Sequence, residues 1–419
     1  MLTSFRHRAY TWLWLSNLAG SSGRWAVVLV LSAQLLLLTH SSFWVGMGLF
    51  LTQGPVILMA PYSGLLADRF DRRLLNVASA AAAAAVTGLF ALLTWQGLAS
   101  LPVILVLSVV FGFSFVFQMT LRSTLVPTLV PPAKLLNAVS LFQVGTQGAQ
   151  FLGPVLATPL LAGKGPAPAW AFCALLYSVS AALSAFVGEQ RAEQRQGVTR
   201  NRLLDSLAYL RALPVAWVAI LAVSIHCSLT MAYQGMLPMF VSANLGAGPS
   251  TYGLLLSTIG LGAVAGSLVL AANSGRTLRP GLFVLSLVGS GASLTVMALA
   301  PSPSVAIGAG FFVGATQAMF MSMALALIQS SVEDEFRGRA TSFYQMITLA
   351  PMAIFGWGMG GLADITQPRP LMAVSGVAFL LVMAIYAAGS RSFRQLLTPD
   401  GWLQRGRNPD GEGHSGALS

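Results

Sequence analysis

The sequence predicts an all-α membrane protein with twelve transmembrane helices arranged as two pseudo-symmetric six-helix bundles. Three observations lead to this fold class. Of the 419 residues, 55% are hydrophobic and 8% are charged, whereas soluble chains carry ~25% charged residues. The apolar residues gather into long runs, and the basic residues gather between alternate runs. Finally, the second half of the chain repeats features of the first half.

The apolar runs are long enough to cross a bilayer, which takes ~20 helical residues. The first run continues from Tyr10 to Leu38 without an Ala-x-Ala-like cleavage site, so we interpret it as a retained span and not a secretory signal. An even number of spans places both termini on one side. The predicted spans are 12–39, 45–67, 73–97, 101–124, 138–162, 168–188, 214–241, 250–273, 280–299, 303–331, 340–364 and 371–389.

The basic residues predict the orientation. The net charge is +11, and the chain has 23 basic residues. Arg24 lies within a span, Lys164 and Arg369 lie on one side, and the other 20, Arg122 among them, lie on the side of the termini. The positive-inside rule makes that side cytoplasmic. We therefore predict a multi-pass protein of the bacterial plasma or inner membrane. Charges in short loops between spans favour membrane lipids over nucleic acid as partners.

The longest polar break divides the spans six and six. We predict an N-terminal bundle at 1–188, a cytoplasmic linker at 189–213, a C-terminal bundle at 214–390 and a largely disordered cytoplasmic tail at 391–419. A shift of 202 residues places Gly64 on Gly266 and the segment 137–143 on 339–345. Two repeated bundles around a linker are typical of a transporter whose site lies between the halves.

The stretch from Gly64 to Arg73 places five charges in the six residues 68–73. It resembles the signature loop between helices 2 and 3 of the major facilitator superfamily, Gly-x-x-x-Asp-Arg-x-Gly-Arg-Arg, with Asp71 in place of Gly. The segment 332–339 is similar to the family pattern of acidic residues followed by Arg-Gly-Arg. Residues 237–240 and the pair Gly153-Pro154 resemble the drug and siderophore exporter branch, whose members include enterobactin-exporter-like proteins.

This resemblance implies a conformational latch on the cytoplasmic side. Asp68 stands four residues before Arg72, a spacing that permits a helical ion pair. Asp68 can also accept hydrogen bonds at the N-terminus of a helix from the other half. The alternative is a topology signal with a solvated salt bridge worth ~0–1 kcal/mol. The predicted latch residues are Gly64, Asp68, Arg69, Arg72, Arg73, Arg337 and Arg339.

Arg24 lies about midway along the first span, where a cation is costly unless it faces a watery cavity or finds a partner. Asn17 and Ser21 are spaced to share its helix face. We interpret Arg24 as a contact for an anionic or oxygen-rich substrate. The alternative is a structural arginine that binds backbone carbonyls or reaches one membrane surface.

Polar stripes on other spans predict a cavity in the bundle interior, because amides and rings with polar atoms are unfavourable in lipid. The alternative for each residue is an interhelical hydrogen bond without a ligand. On the fifth span, Gln143, Gln147 and Gln150 stand at i, i+4 and i+7. On the seventh span, His226, Tyr233 and Gln234 stand at i, i+7 and i+8. The predicted cavity residues are Arg24, Gln143, Gln147, Gln150, His226, Tyr233, Gln234, Gln317 and Gln345.

The resemblance implies a secondary active transporter that exports drug-like or siderophore-like small molecules by alternating access, with proton antiport. His226 is the only central group whose unperturbed pKa lies at about 6.5. The sequence contains no phosphate-binding loop, so we do not expect ATP to drive transport. We expect a monomer without metal or organic cofactor. The alternatives are a lipid or lysolipid flippase, or an importer of the same fold. An integral membrane enzyme is a more distant alternative, because the four histidines are scattered along the chain.

Overall fold

The structure is a computed structural model that describes residues 3–57, 59, 71–131, 134–188, 209–273, 279–332 and 337–397. Within these ranges the chain folds into long helices joined by short connections. The helices are α1 (Arg8–Thr39), α2 (Ser42–Gln53), α3 (Arg72–Trp95), α4 (Leu101–Leu125), α5 (Leu135–Lys164), α6 (Pro166–Ala185), α7 (Pro214–Thr230), α8 (Pro249–Ala272), α9 (Arg279–Ala298), α10 (Pro303–Ser330), α11 (Arg337–Thr366), α12 (Pro368–Gly389) and α13 (Arg391–Leu396).

Each of the twelve predicted spans overlaps one of the helices α1 to α12; the second span is described only in its first half, and the seventh extends past the end of α7. In the part of the chain that the structure describes, 10 helices are long and apolar enough to cross a membrane. The α2 region forms a shorter apolar helix over Ser42–Ile57, and α5 is 30 residues long and carries the glutamine stripe. The predicted fold class is therefore confirmed. Most of the predicted linker and tail lies outside the described residues.

The starts of the helices follow local sequence signals. Proline stands at the first turn of α6, α7, α8, α10 and α12, where its missing N–H costs no helical hydrogen bond. Asp71 is the N-cap of α3, and its carboxylate accepts from the backbone N–H of Arg73 at 2.8 Å and of Leu74 at 3.4 Å. This capping bond gives a physical reason for an aspartate where the family pattern has glycine.

The packing follows the sequence repeat, since adding six to each helix number converts one half into the other. In the first half α1 packs on α5 and α6, and α3 packs on α4 and α6. In the second half α7 packs on α11 and α12, and α9 packs on α10 and α12. The halves meet through two pairs, α2 with α11 and α5 with α8. The same operation exchanges these two pairs.

Among the described residues, the buried apolar side chains form one core shared by both halves at one end and a separate core in each half at the other. We call the end where α1 begins and α12 ends the base, and the opposite end the top. At the top a single hydrophobic core contains Leu29 and Trp170 of the first half together with Tyr233 and Leu255 of the second. At the base each half has its own core, one around Tyr10 and the other containing Phe320.

Small residues allow this close contact at the top. A Cβ atom added to Gly46 of α2 would lie 2.8 Å from the carbonyl oxygen of Gly356 in α11. On the other side of the interface, a Cβ atom added to Gly260 of α8 would lie 2.5 Å from the carbonyl carbon of Gln150 in α5. Such backbone approach is how membrane helices pack in the absence of a hydrophobic driving force.

Candidate functional site

A small cavity lies between the halves, bounded by α2, α11 and the segment that follows α7. Its lining includes Leu49, Gln53, Gln234 and Met352. It leaves ≈ 10 Å³ for the centre of a water-sized sphere, which is room for about one water molecule. Of the predicted cavity residues, Gln234 lies in its wall. The cavity is therefore too small for a substrate in this state.

The seventh span is broken beside this cavity. The α-helix ends at Thr230 and continues as a 3₁₀ turn (Ala232–Gly235), a single α-helical turn and a π turn (Phe240–Asn244). Pro238 lacks the N–H that would bond the carbonyl of Gln234 in a regular helix. The side-chain amide of Gln317 in α10 donates to the carbonyl oxygen of Thr230 at 2.6 Å. Irregular backbone at membrane depth is tolerated where it lines a cavity and its polar groups find such partners.

Arg24 lies on α1 beside α4. Its guanidinium carbon is 4.4 Å from the centroid of the Phe115 ring, a cation–π contact. Its Nη1 atom is buried without a hydrogen-bond partner among the described residues, although the side chain as a whole is only half-buried. Asn17 donates to Thr146 Oγ1 of α5 at 3.0 Å, and Ser21 donates to Asn17. Asn17 thus links α1 to α5, and Ser21 supports Asn17 from the same helix, so neither residue is bonded to Arg24.

A second arginine lies deep in the same bundle. Arg122 near the end of α4 is 6% exposed. Its Nη2 atom donates to Gln118 Oε1 and to Ser180 Oγ, both at 2.8 Å, and its guanidinium packs against Gly20 of α1. The sequence interpretation grouped Arg122 with the basic residues of the base surface. The structure keeps Arg122 in the last turn of α4 toward the base, within the predicted span, but its side chain is buried inside the bundle and not at the surface.

The glutamine stripe of α5 follows the face that meets α8. The backbone of Gln150 touches Gly260, and Thr158 packs against Gly253 further toward the top. Toward the base, Gln147 is half-buried and Gln143 is exposed. Trp14 and Asn17 of α1 bind the neighbouring side of α5, at the carbonyl oxygen of Leu141 and at Thr146. The stripe thus runs from the closed top toward the separated base.

The predicted stripe of α7 is wrong as a single face. His226 points into the C-terminal bundle, where its Nε2 atom lies 2.8 Å from Ser290 Oγ and its ring stacks 4.5 Å from Phe320. Tyr233 is 2% exposed and belongs to the top core, while Gln234 lines the cavity. The spacing assumed one continuous α-helix, and the break after Thr230 rotates the later residues away from the face of His226.

The remaining cavity candidates lie on α10 and α11. Gln317 is 5% exposed and its amide bonds the broken end of α7. It therefore fits the alternative reading, an interhelical hydrogen bond without a ligand. Gln345 is half-buried on α11.

The predicted latch falls mainly on parts of the chain that are not described. Gly64, Asp68 and Arg69 lie outside the described residues, and so do the side chains of Arg337 and Arg339 at the start of α11. Arg72 and Arg73 form the first turn of α3, directly after the Asp71 cap. The latch therefore stays a prediction.

A comparable contact is present at the top. Asp364, near the end of α11, accepts hydrogen bonds from the hydroxyl of Ser41, from Ser42 N at 2.6 Å and from Phe43 N at 3.2 Å. These donors form the N-terminus of α2 in the other half, where the helix dipole favours a carboxylate. Sequence analysis did not single out Asp364, although an acidic residue at the end of an apolar span was a visible signal.

Comparisons with known proteins agree with this architecture. A family described as transmembrane secretion effector matches residues 1–393. The uncharacterized MFS-type transporter YfiS of Bacillus subtilis is 24% identical over 82% of this chain and 84% of its own. The enterobactin exporter EntS of Salmonella choleraesuis is also 24% identical, over 86% of this chain and 88% of its own.

Among solved structures, a POT family transporter in complex with a thioalcohol-conjugated peptide aligns with a TM-score of 0.73 at 10% identity. The alignment covers 92% of this chain and 96% of that one, and shows a shared fold. Together with the six-plus-six packing, the family match over nearly the whole chain identifies this protein as a multi-pass membrane transporter of the transmembrane secretion effector family, within the major facilitator superfamily.

Proposed function

We propose that this transporter exports small molecules, drug-like or siderophore-like, from the cytoplasm by alternating access coupled to proton antiport. The observation that carries the proposal is the single core at the top beside two separate cores at the base. The basic residues assign the base to the cytoplasm. A molecule that is closed at the top and divided at the base is in an inward-facing state, from which an exporter takes up substrate and into which an importer releases it. The exporter relatives favour the first reading.

The proposed substrate path lies between the halves, from the base to the cavity at the broken seventh span. Arg24 and the glutamines Gln143, Gln147 and Gln150 line it from the first half. Gln234 and Gln345 line it from the second half, with Gln317 holding the break. His226 and Tyr233 are not part of this path, because one faces the C-terminal bundle and the other the top core.

The latch is proposed as the device that closes the base after substrate enters. The contact of Asp364 with the start of α2 supports it by analogy, because α2 and α11 pack against each other and run in opposite directions. An acid at the end of α2 would then meet the start of α11 at the base, as Asp364 meets the start of α2 at the top. Asp68, followed by Arg69, Arg72 and Arg73, stands at that position, and Arg337 and Arg339 stand at the start of α11.

Proton coupling is proposed from the relationship to exporters, with the enterobactin exporters as relatives over most of the chain. The sequence has no acidic residue between 72 and 188 or between 206 and 332. A carboxylate relay inside these spans is therefore absent, and proton entry must use other groups or the substrate itself.

The test is an accumulation assay in a bacterial host stripped of its own exporters. Cells that express the chain should accumulate less of at least one compound from a panel of drugs and siderophores, and an uncoupler should abolish the difference. Arg24→Gln should reduce the effect, whereas Lys164→Gln, which removes an exposed positive charge at the top, should not. Increased accumulation would indicate an importer. Movement of labelled lysolipid without any change in drug accumulation would indicate a flippase.

A further inference from the structure

We infer that the site in the N-terminal half binds an organic anion, so that the exported substrate carries a negative charge; this deepens the export function proposed above and rests on it. The starting observation is a pair of guanidinium groups inside one bundle. Arg122 packs against Gly20, and Arg24 stands four residues further along α1. Four residues correspond to about 6 Å of helix rise. Tyr177 lies beside the same stretch, since a Cβ atom on Gly23 would be 3.0 Å from its ring.

The chain offers these two charges no counter-ion. Asp68 and Asp71 are the only acidic residues in 1–188 of the sequence, and both belong to the connection between the second and third spans. Asp71 caps α3 there. Buried cations are normally paired with an acid or bound to carbonyl oxygens. Arg122 has no acid beside it and donates to the amide carbonyl oxygen of Gln118 and the hydroxyl of Ser180, while its Nε atom has no partner among the described residues.

Arg24 offers the contact that a ligand can use. Its Nη1 atom has no hydrogen-bond partner in the described part of the chain, while the ring of Phe115 covers one face of the guanidinium. An arginine with free N–H groups matches a carboxylate or a comparable oxyanion in a fixed geometry. The half-buried Phe115 beside Arg24 suits an anion that also carries an aromatic ring.

Access to Arg24 comes from the base. Directly above it, seven residues of α1 between Ala26 and Leu35 belong to the top core that joins the halves. Below it, the cores of the two halves are separate. Arg24 is half-buried and Arg122 is 6% exposed, so Arg24 would contact the ligand while Arg122 adds positive potential behind it. Arg122 is thus a positioning residue.

The test compares two probes of the same shape that differ in charge, 2-naphthoate and its neutral amide 2-naphthamide. The purified full-length protein in detergent micelles is titrated with each, and binding is measured by calorimetry and by thermal stabilisation. We expect naphthoate to bind about tenfold more tightly than naphthamide, as hydrogen bonds to a charged partner imply. Arg24→Gln should reduce that ratio to about one, Arg24→Lys should keep part of it, and the control Lys164→Gln should keep all of it.

Three outcomes would overturn the inference: equal affinity for both probes, absence of binding of either probe, or a charge preference that survives Arg24→Gln. A third ligand, inorganic phosphate, separates the sources of negative charge. Phosphate that binds as tightly as naphthoate would assign the site to an inorganic ion and also overturn the claim about the substrate.

Arg122→Gln should weaken naphthoate binding without removing the preference, and the Arg24 variants keep the test decisive if that variant fails to fold. The accumulation assay distinguishes the two proposals. Charge-selective binding without any export would leave the anion site intact and refute export. Export that is equally strong for anionic and neutral compounds, in wild type and in Arg24→Gln, would support the export function and refute the anion site.

Discussion

At the residue scale, Asp71 has a local structural role: it caps a helix at the end of the loop that carries the predicted latch. Its carboxylate caps α3 and satisfies the backbone N–H groups of Arg73 and Leu74. These groups have no intrahelical partner at the start of a helix. With a glycine at this position, the N–H groups of Arg73 and Leu74 would have to form hydrogen bonds with water.

We predict that Asp71→Ala lowers the free energy of unfolding by about 1 kcal/mol, the usual loss for an N-cap. Asp71→Ser should retain most of the stability, because a serine hydroxyl also accepts from these N–H groups. The measurement is thermal unfolding in detergent. Equal destabilisation by alanine and serine would show that the negative charge matters and that the cap does not.

Gln317 is a second residue whose role is local. Its amide holds the carbonyl of Thr230 at the break of the seventh span. Gln317→Leu leaves this buried carbonyl without its partner, so we expect a loss of about 1–2 kcal/mol of stability. Gln345→Leu, at a half-buried position of α11, is the comparison and should cost less. Thermal unfolding midpoints of the two variants give the answer, and a smaller loss for Gln317→Leu would contradict this role.

At the element scale, the sequence predicted the helices well and their faces less well. Each predicted span overlaps a helix because a bilayer accepts few other structures, and apolar length is a strong signal. The face of the seventh span was mispredicted because the spacing of His226 and Gln234 assumes a regular helix. Gly235 and Pro238 were visible in the sequence, but tertiary contacts with α10 and α11 decide how such a break is resolved. Arg122 was misplaced for a related reason, since hydropathy does not show the direction of a side chain at a helix end.

The pairing of α2 with α11 provides an element-scale prediction with a matched control. A Cβ atom on Gly360 would collide with the carbonyl oxygen of Ser42, whereas one on Gly358 would meet nothing within 4 Å. Both glycines lie in α11, so Gly→Ala raises the helix propensity equally at each. We expect Gly360→Ala to weaken the top contact and reduce export, and Gly358→Ala to keep export at the wild-type level. Export and thermal stability are measured for both, and equal behaviour of the two variants would contradict a close α2–α11 contact at the top.

At the scale of the whole molecule, the internal repeat could be read from the sequence, but the state of the transporter could not. The match of segment 137–143 with 339–345 predicts two related halves. It contains no information on which end of the interface is closed. That property emerges from contacts between residues more than three hundred positions apart, such as Asp364 with Ser42.

The last prediction concerns the balance between the two states. Asp364 binds the start of α2 at the top. We propose that this contact holds the top closed and that Asp68 holds the base closed, so neutralising each should shift the molecule in opposite directions. A carboxylate at a helix N-terminus contributes ~0.3–1 kcal/mol, a factor of about two to five in populations. Spin labels at the exposed positions Phe186 and Ile385 report on the base, and labels at Leu98 and Leu299 report on the top. The background replaces the buried Cys173 and Cys227 with alanine.

Asp364→Asn should increase the fraction of molecules with a short base distance and a long top distance, because the top loses its closing contact. Asp68→Asn should keep the base distance long and abolish export while the protein still inserts into the membrane. Asp400→Asn, in the C-terminal tail, removes a carboxylate from neither contact and should leave both distance distributions unchanged. If the two variants shift the distances in the same direction, or neither shifts them, the two carboxylates do not act as opposing closures and alternating access must depend on other contacts between the halves.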